Sequence, residues 1–391
     1  MINKKNRILY LHTGIRTYRI KLFQLLSKKF NIDFFLTENV KKDRHVIDEY
    51  EKLMNDSNVN ILQASEIESL PFYGFSLDLL KLPFLKYNVF IFTSSVSVPF
   101  LLMAPIVKLF SKKVIVFDEL WRYPKEVYKY KIIFPYVKFL LKYFVDSVIV
   151  SGTKSKDLYL NTYNYERDRI YTAYNTTIDI KQFLDNEDLN KKIKDRLNNY
   201  SQNKKILYLA RVIEIKGLDL LIRSMKNISN NYDLFVIGEG EYLEYCKNLT
   251  NELNLNNRVF FLGDCLSSET VYYYNNCDLY VLPTKKQLNR NVQVESWGFT
   301  INEAMSMELP IVTTDAVGSA YDLVKDGENG AIALSSSVES LSEKINYVID
   351  NNEKNIMGKK SREILLSKCD YEKNIFEYEN AILNALKDGG N

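Results

Sequence analysis

Residues 205–217 read KILYLARVIEIKG, and this stretch decides the fold. The apolar run at residues 205–209 predicts a buried strand, and a helix is expected after Gly217. Arg211 and Lys216 stand in the turn that joins the two. A strand that passes through a short turn into a helix is the repeating unit of a parallel α/β sheet.

The same alternation of strands and helices runs through both halves of the chain. Strand-like apolar runs in the first half lie at residues 7–12, 32–36, 59–62, 88–92, 114–117 and 147–150. Those in the second half lie at residues 205–209, 234–237, 259–262, 279–282, 311–313 and 331–334. Helix-length segments separate them, among them residues 18–29, 97–110 and 125–144. Two such halves predict an α/β protein of two doubly wound, Rossmann-like domains that face each other across a cleft.

The length of the chain also favours two domains, since 391 residues exceed the size at which one hydrophobic core keeps growing. We expect the boundary within residues 178–190. The chain then divides into a first domain at residues 1–184, a second domain at 185–372 and a final segment at 373–391. Residues 374–386 of that segment are amphipathic enough to form a helix.

The composition is that of a soluble globular protein, with 46% hydrophobic and 26% charged residues. Residues 1–7 are polar and basic, and only a short apolar run follows them. Neither a signal peptide nor a spanning helix is therefore expected. These features together predict a cytoplasmic location.

Charge is distributed unevenly, although the whole chain carries only +3. Residues 1–184 contain 28 Lys and Arg against 18 Asp and Glu, a net charge of +10, and residues 185–391 contain 24 against 31, a net charge of −7. The basic half favours an anionic partner, either anionic lipid or a phosphorylated molecule. Nucleic acid is not expected, because the chain has no recognised nucleic-acid motif.

One helix-length segment of the basic half adds to this expectation. Residues 125–144 place five lysines among aromatic and aliphatic residues: Lys125, Lys129, Lys131, Lys138 and Lys142. Such a composition suits a surface helix that rests on anionic lipid. The alternative is a core helix whose lysines extend to water. Pro135 predicts a break or a kink in it.

No metal or redox site is expected. The four cysteines, Cys246, Cys265, Cys277 and Cys369, have spacings that match no zinc or redox motif, so buried free thiols are the simpler interpretation. His12 and His45 are too few for a histidine-rich site, and no Asp-x-Asp follows a predicted strand.

The turn after the strand at 205–209 is a candidate diphosphate clamp. A guanidinium at Arg211 can fork two phosphate oxygens, and an ammonium at Lys216 acts as a point charge. The alternative is a solvated loop with two surface cations. The turn Gly238-Glu239-Gly240 can admit a ligand close to the main chain, although a tight turn is the commoner use of such glycines. Neither this turn nor Gly14 belongs to a G-x-G-x-x-G motif, which argues against a nicotinamide dehydrogenase.

Residues 295–305, ESWGFTINEAM, place two carboxylates eight residues apart. Glu295 is predicted in a loop, and Glu303 in a helix at about residues 300–308. Gly298 permits an unusual backbone angle just before the helix, whose first free amides can donate to phosphate or sugar oxygens. The Glu303 carboxylate is suited to accept hydrogen bonds from a pair of ribose hydroxyls. The alternative is that Glu303 is an ordinary helix residue whose side chain is exposed to solvent.

In their order, these motifs of the second half resemble those of glycosyltransferase family 4. The resemblance also covers residues 258–263, 277–283 and 312–318. It implies the two-domain GT-B fold and a retaining, metal-independent transfer without a cofactor. Arg211 and Lys216 would hold the diphosphate of a nucleotide-sugar donor, Glu303 its ribose and Glu295 its sugar. The amides of Phe299, Thr300 and Ile301 would meet the sugar or phosphate, and Gly14, Gly238 and Glu239 complete the expected donor side.

The first half resembles the family more loosely, as expected of a domain that binds a varying acceptor. Asp118 and Glu119 stand where many members carry a histidine, and acceptor-side and structural roles are both open for them. The final segment would cross back onto the first domain.

The resemblance implies that a glycan or lipid-linked acceptor receives the sugar in surface polysaccharide or glycoconjugate synthesis, on the cytoplasmic side of the membrane. A nucleotide-sugar 2-epimerase of related fold and a non-catalytic nucleotide-sugar-binding protein are the alternatives.

Overall fold

The computed structural model describes residues 6–12, 14, 17–37, 56, 58–63, 77–123, 128–286, 294–352 and 355–387. The chain divides into two units. Unit 1 comprises Met1–Ile178 together with Asp370–Asn391, and unit 2 comprises Asp179–Cys369. The chain thus passes between units at 178/179 and 369/370, a few residues before the expected positions of 184/185 and 372/373. His45 and Lys125 lie outside the described residues, as does most of the loop before Glu295.

Unit 1 is built on a parallel sheet of seven described strands in the order β3-β2-β1-β4-β5-β6-β7. The strands are β1 (Arg7–His12), β2 (Asn31–Leu36), β3 (Asn60–Gln63), β4 (Val89–Thr93), β5 (Lys113–Asp118), β6 (Ser147–Val150) and β7 (Ile170–Thr172). The six strands expected from apolar runs are confirmed. The sequence missed β7, because a run of three residues is too short to show a pattern.

Helices cover both faces of this sheet. They include α1 (Thr17–Lys29), α2 (Val98–Leu109), α3 (Tyr128–Phe144) and α4 (Thr153–Asp157), and a 3₁₀ segment, Leu77–Phe84, precedes β4. The core on one face contains α2 and α3, and the core on the other contains α1. Ser97 caps α2, since its hydroxyl accepts from the Phe100 amide at 3.4 Å, and Pro99 lies in the first turn.

Unit 2 is built on a second parallel sheet, in the order β10-β9-β8-β11-β12-β13. Its strands are β8 (Lys204–Leu209), β9 (Tyr232–Ile237), β10 (Val259–Phe261), β11 (Leu279–Leu282), β12 (Ile311–Thr314) and β13 (Gly330–Ala333). Its helices include α5 (Glu187–Tyr200), α6 (Leu218–Ser224), α7 (Leu243–Glu252), α8 (Thr270–Asn275), α9 (Phe299–Ser306), α10 (Ala320–Leu323), α11 (Val338–Asn351) and α12 (Ile356–Lys368). All six strands expected in this half are confirmed.

The last helix, α13 (Tyr371–Lys387), belongs to unit 1, although it follows unit 2 in sequence. Tyr378 is fully buried, and its ring stacks on Phe117 with centroids 6.2 Å apart. The Ser147 hydroxyl donates to the Ala381 carbonyl at 2.8 Å. The final segment therefore completes a core of the first domain, as the sequence indicated.

None of the four cysteines forms a disulfide. Cys246, Cys277 and Cys369 are buried as expected, whereas Cys265 is only partly buried. Within the described residues, no helix combines the length and the apolar character needed to cross a membrane. The same residues contain no group of three or more His, Cys, Asp or Glu side chains arranged to hold a metal ion.

Candidate functional site

The loops after β8 and β9 pack directly on each other at the carboxyl end of the second sheet. The Val212 amide donates to the Glu239 carbonyl at 2.8 Å. A Cβ on Gly238, whose φ is +134°, would lie 2.1 Å from the Ala210 carbonyl oxygen. Glycine is thus required for this close approach of two loops, and the Glu239 side chain is exposed beside it.

Arg211 and Lys216 lie in the loop after β8 but differ in environment. Arg211 is exposed, and among the described residues its guanidinium has no hydrogen-bond or ion-pair partner. Lys216 is largely buried and forms an ion pair with Glu295. The Lys285 amide, just after β11, donates to the Ile215 carbonyl at 2.7 Å, which fixes the loop against the end of β11. The Arg211 guanidinium is therefore available to bind an anion, whereas the Lys216 ammonium is already paired with the Glu295 carboxylate.

Glu295 occupies a segment that is itself anchored. Its amide donates to the Ala316 carbonyl at 3.0 Å, and its carbonyl accepts from the Gly318 amide at 2.9 Å. These bonds form an isolated parallel bridge between Glu295 and Val317. The structure therefore brings Lys216 and Glu295, predicted from separate motifs, into direct contact at a rigid position.

Helix α9 begins two residues after Trp297. Gly298 caps it with φ +88°, and a Cβ there would lie 3.0 Å from Val317 Cγ1. The first turn has no acidic side chain, so its positive end is not neutralised from within the helix. The Ile301 amide already donates to the Gly298 carbonyl at 2.9 Å, and its side chain is fully buried. The Ile301 amide is thus already engaged within the helix, and its binding of the donor remains a prediction.

Glu303 lies one turn into α9 and is mostly enclosed. Burial raises the pKa of Glu303 to about 7, and a hydrogen bond from Tyr274 opposes the rise. The Tyr274 hydroxyl donates to Glu303 Oε2 at 3.0 Å. The alternative interpretation of Glu303 as a solvent-exposed helix residue therefore does not hold.

Two tyrosines that the sequence did not indicate tie these elements together. The Tyr280 hydroxyl on β11 lies 2.6 Å from Thr300 Oγ1 and 3.2 Å from the Leu209 carbonyl at the end of β8. The Tyr274 hydroxyl on α8 also lies 3.4 Å from the Thr300 carbonyl. The start of α9 is thus held against the carboxyl ends of β8 and β11. Nothing in the sequence distinguishes these two tyrosines from other tyrosines of the core.

Asp118, in unit 1, is surrounded by hydrogen-bond donors. It is buried, and its carboxylate accepts from the Ser95 hydroxyl at 2.6 Å and the Tyr159 hydroxyl at 2.9 Å. It also accepts from the amides of Ser95 and Leu120, each at 3.0 Å. Burial raises the pKa of Asp118, and the hydrogen bonds from these neighbours oppose the rise. Four donors occupy the carboxylate, which favours the structural alternative.

Glu119 keeps part of its carboxylate exposed, at 29%. It accepts from Arg19 and from Asn175, each at 2.6 Å. The buried Arg19 guanidinium also lies 4.6 Å from the centre of the Phe117 ring. Glu119 is the better acceptor-side candidate, and Arg19 and Asn175, which the sequence did not indicate, orient it. Gly14 is buried after β1, also in unit 1, whereas the other donor-side candidates belong to unit 2.

Comparison with known families finds one match in unit 2. Residues 190–364 match the model of glycosyl transferases group 1. This stretch of unit 2 is therefore similar to that family. Arg211, Lys216, Glu295 and Glu303 all fall within it.

Two curated relatives each match over less than half of the chain. The capsular polysaccharide biosynthesis glycosyltransferase CapM of Staphylococcus aureus is 32% identical over 176 residues, which is 43% of this chain and 42% of CapM. An uncharacterized glycosyltransferase of Haemophilus influenzae is 29% identical over 165 residues, 41% of this chain and 44% of that protein. The matched region thus spans less than half the length of either relative.

Solved structures match over nearly the whole chain. Anabaena HepE in complex with UDP aligns with a TM-score of 0.78 and 16% identity, over 97% of this chain and 99% of HepE. A complex of HepE with UDP-glucose aligns with a TM-score of 0.72 and 18% identity, over 95% of this chain and 98% of HepE. This likeness shows the fold, two Rossmann-like domains of the GT-B type, as the sequence indicated.

Proposed function

We propose that this protein is a retaining, metal-independent glycosyltransferase that moves a sugar from a nucleotide-diphosphate donor to a glycan or lipid-linked acceptor. One observation carries the proposal. Arg211, which is exposed, and Lys216 lie in the loop after β8, and Lys216 pairs with Glu295. Tyr280 of β11 links the start of α9, the helix that carries Glu303, to the carboxyl end of β8. Ligands of open parallel sheets bind at the carboxyl ends of the strands.

Each group has a defined part in this reaction. Arg211 donates two parallel hydrogen bonds to oxygens of the donor diphosphate, and Lys216 adds a second positive charge. The amides of the first turn of α9 donate to phosphate or sugar oxygens. Glu303 accepts the ribose hydroxyls as a carboxylate, and Glu295 contacts the sugar while orienting Lys216. Gly238 and Glu239 line the donor side.

The transfer needs charge stabilisation more than a dedicated base. The bond between the anomeric carbon and the diphosphate oxygen breaks, and the acceptor oxygen bonds to that carbon on the same face. The departing phosphate oxygen takes the acceptor proton. Arg211 and Lys216 stabilise the negative charge that develops on the diphosphate. No cofactor or metal takes part in this scheme.

The relatives support the biological setting of the proposal. CapM is named for capsular polysaccharide biosynthesis, and HepE was solved with UDP and with UDP-glucose. We infer a role in surface polysaccharide or glycoconjugate synthesis on the cytoplasmic face of the membrane, with a uridine diphosphate sugar as the first donor to test. Glu119 would lie on the acceptor side.

The test combines nucleotide binding with one substitution. UDP, GDP, ADP and CMP are titrated by calorimetry with and without EDTA, and a selective, EDTA-insensitive signal is expected for one diphosphate. With the sugar conjugate of that nucleotide, Arg211→Ala is expected to lower turnover by roughly 10²-fold, because a donor aimed at developing charge is lost.

Lys226→Ala is the matched control, since Lys226 is also an exposed cation of unit 2. Unchanged turnover in Arg211→Ala would remove the diphosphate clamp from the mechanism. Isomerisation of the donor sugar without acceptor would instead identify an epimerase, and binding without any turnover a nucleotide-sugar-binding protein.

A further inference from the structure

Helix α3 has apolar side chains on two opposite faces. Val137, Leu140 and Leu141 are buried in the core of unit 1. The other face carries five exposed apolar residues, here called the α3 stripe: Tyr128 (77% exposed), Ile132 (59%), Tyr136 (42%), Phe139 (48%) and Tyr143 (59%). Their spacing of four, four, three and four residues is that of one helical face. The outer face of a surface helix is normally polar, so the stripe calls for a partner.

Neighbouring elements extend this apolar surface. Helix α2 packs on α3, and the Tyr136 hydroxyl donates to the Leu101 carbonyl at 2.9 Å. Exposed residues of α2 and of the 3₁₀ segment Leu77–Phe84 continue it: Leu80, Phe84, Leu102, Leu109 and Phe110. The rings of Phe84 and Phe110 are in edge contact at 5.1 Å. Contiguous exposed apolar surface of this kind marks an interaction site.

The charges along the stripe are of one sign. Residues 128–144 contain four lysines and no acidic residue, and α2 contains no acidic residue either. Lys138 lies 5.7 Å from the centre of the Phe134 ring, and Lys142 lies 5.1 Å from that of Tyr143. Among the described residues, Lys131, Lys138 and Lys142 have no carboxylate partner. The surface is therefore apolar, and the positive charges of these three lysines are not balanced by a neighbouring carboxylate among the described residues.

We propose that unit 1 docks on an anionic lipid surface through the α3 stripe and its lysines. Tyrosine rings place an apolar body in the bilayer interface and a hydroxyl in the headgroup layer, where such rings are enriched. Lysines beside them meet anionic headgroups. A helix of 17 residues, about 25 Å long, lies in the plane of the membrane rather than across it. This inference goes beyond the transferase reaction and does not depend on the donor site.

The test measures flotation of the full chain with lipid vesicles. Vesicles of phosphatidylcholine alone are compared with equal mixtures of phosphatidylcholine and phosphatidylglycerol, at low and high salt. Binding is expected to the anionic vesicles, and high salt is expected to weaken it. Lys131→Glu with Lys142→Glu should reduce the bound fraction on the order of tenfold or more, because two attractive charges become repulsive. Ile132→Ser with Phe139→Ser should reduce it at both salt concentrations.

Two variants of unit 1 serve as matched controls. Phe376→Ser changes an exposed ring on α13, and Lys21→Glu changes an exposed lysine on α1. Both should bind vesicles as the parent does. UDP binding is measured on every variant, so that loss of folding or failure of the donor site is seen separately.

Three results would overturn the proposal. The first is no flotation with anionic vesicles at low salt, and the second is flotation that the α3 variants leave unchanged. The third is self-association in the absence of lipid that the same variants abolish, which would assign the stripe to a second copy of this chain.

Discussion

Glu303 combines an enclosed position with a role that needs negative charge. Burial raises the pKa of Glu303 to about 7, so near neutral pH the unliganded protein holds it partly protonated. Ribose hydroxyls are better accepted by a carboxylate than by a carboxylic acid. In the proposed ribose contact, Glu303 would serve nucleotide binding at some cost in stability, as expected of functional groups that sit in unfavourable surroundings.

Glu303→Gln is expected to separate these two effects. Between the ordinary value of 4.5 and about 7, the folded protein binds more protons than the unfolded chain, so stability falls as pH rises through this window. Glutamine cannot ionise, and the variant should gain about 3 kcal/mol above pH 7 relative to the parent, with little gain below pH 4. Its affinity for the donor nucleotide should fall about tenfold at pH 8, because a charge-assisted hydrogen bond becomes neutral.

Urea unfolding and calorimetry at several pH values would measure both changes. Glu252→Gln, at the exposed last residue of α7 in unit 2, controls for the general loss of a carboxylate. Unchanged nucleotide affinity in Glu303→Gln would show that the proposed ribose contact is wrong. A variant no more stable than the parent at high pH would show that burial does not disfavour the Glu303 carboxylate.

At this scale, the sequence located candidates but not their surroundings. Asp118 and Glu119 are adjacent carboxylates, and only the fold shows that one is filled by four donors while the other stays partly exposed. Arg19 reaches Glu119 across 100 residues of sequence, and Tyr274 reaches Glu303 across 29. Such long-range partners leave no local pattern, so sequence periodicity cannot reveal them.

At the scale of elements, α9 is the part of the site that the sequence described least accurately. The helix was expected at about residues 300–308, and it spans Phe299–Ser306. Glu308 takes a left-handed conformation with φ +60°, and the Leu309 amide donates to the Ala304 carbonyl at 3.0 Å. Helices often end at a residue in the left-handed conformation, and that residue is usually glycine. Because glutamate occupies the position here, the sequence did not reveal the end of the helix. The strands were predicted well because each is a buried apolar run.

Gly298→Ala tests whether the start of α9 must keep its geometry for donor binding. A side chain at φ +88° is strained, and its Cβ would lie 3.0 Å from Val317 Cγ1 and 3.2 Å from Leu282 Cδ2. We expect a loss of stability of about 1 to 3 kcal/mol, together with a clear fall in nucleotide affinity, because the first-turn amides shift.

Gly327→Ala is the matched control. Gly327 has φ +82°, and its nearest neighbour, the Tyr347 hydroxyl at 3.0 Å, belongs to a flexible side chain. It should lose comparable stability but bind nucleotide normally, as measured by urea unfolding and calorimetry. Equal nucleotide affinity in the two variants would argue against the amides of α9 as donor ligands.

At the scale of the whole molecule, the sequence indicated two domains and a returning helix. The two domains follow from the alternation of strands and helices over many residues, and the amphipathic pattern of the final segment predicted a helix there. That this helix returns to the first domain was implied only by the resemblance to glycosyltransferase family 4. The first crossing lies at the edge of the expected range of residues 178–190, and both crossings lie a few residues before the domain limits of 184/185 and 372/373. The crossing points fall at Ile178 and Cys369, in segments without a marked change of composition.

Tyr378→Ala tests whether α13 stabilises unit 1 without serving the nucleotide site of unit 2. The substitution removes a buried ring that stacks on Phe117 and lies 6.3 Å from the ring of Tyr10, so it should cost about 3 to 5 kcal/mol. Hydrogen exchange should then increase in the strands of unit 1, whereas calorimetry should show nearly unchanged nucleotide affinity. Phe376→Ala, exposed on the same helix, should change neither. If Tyr378→Ala abolishes nucleotide binding at temperatures where unit 2 is still protected from exchange, the donor site depends on unit 1, and the proposal that unit 2 alone forms it is wrong.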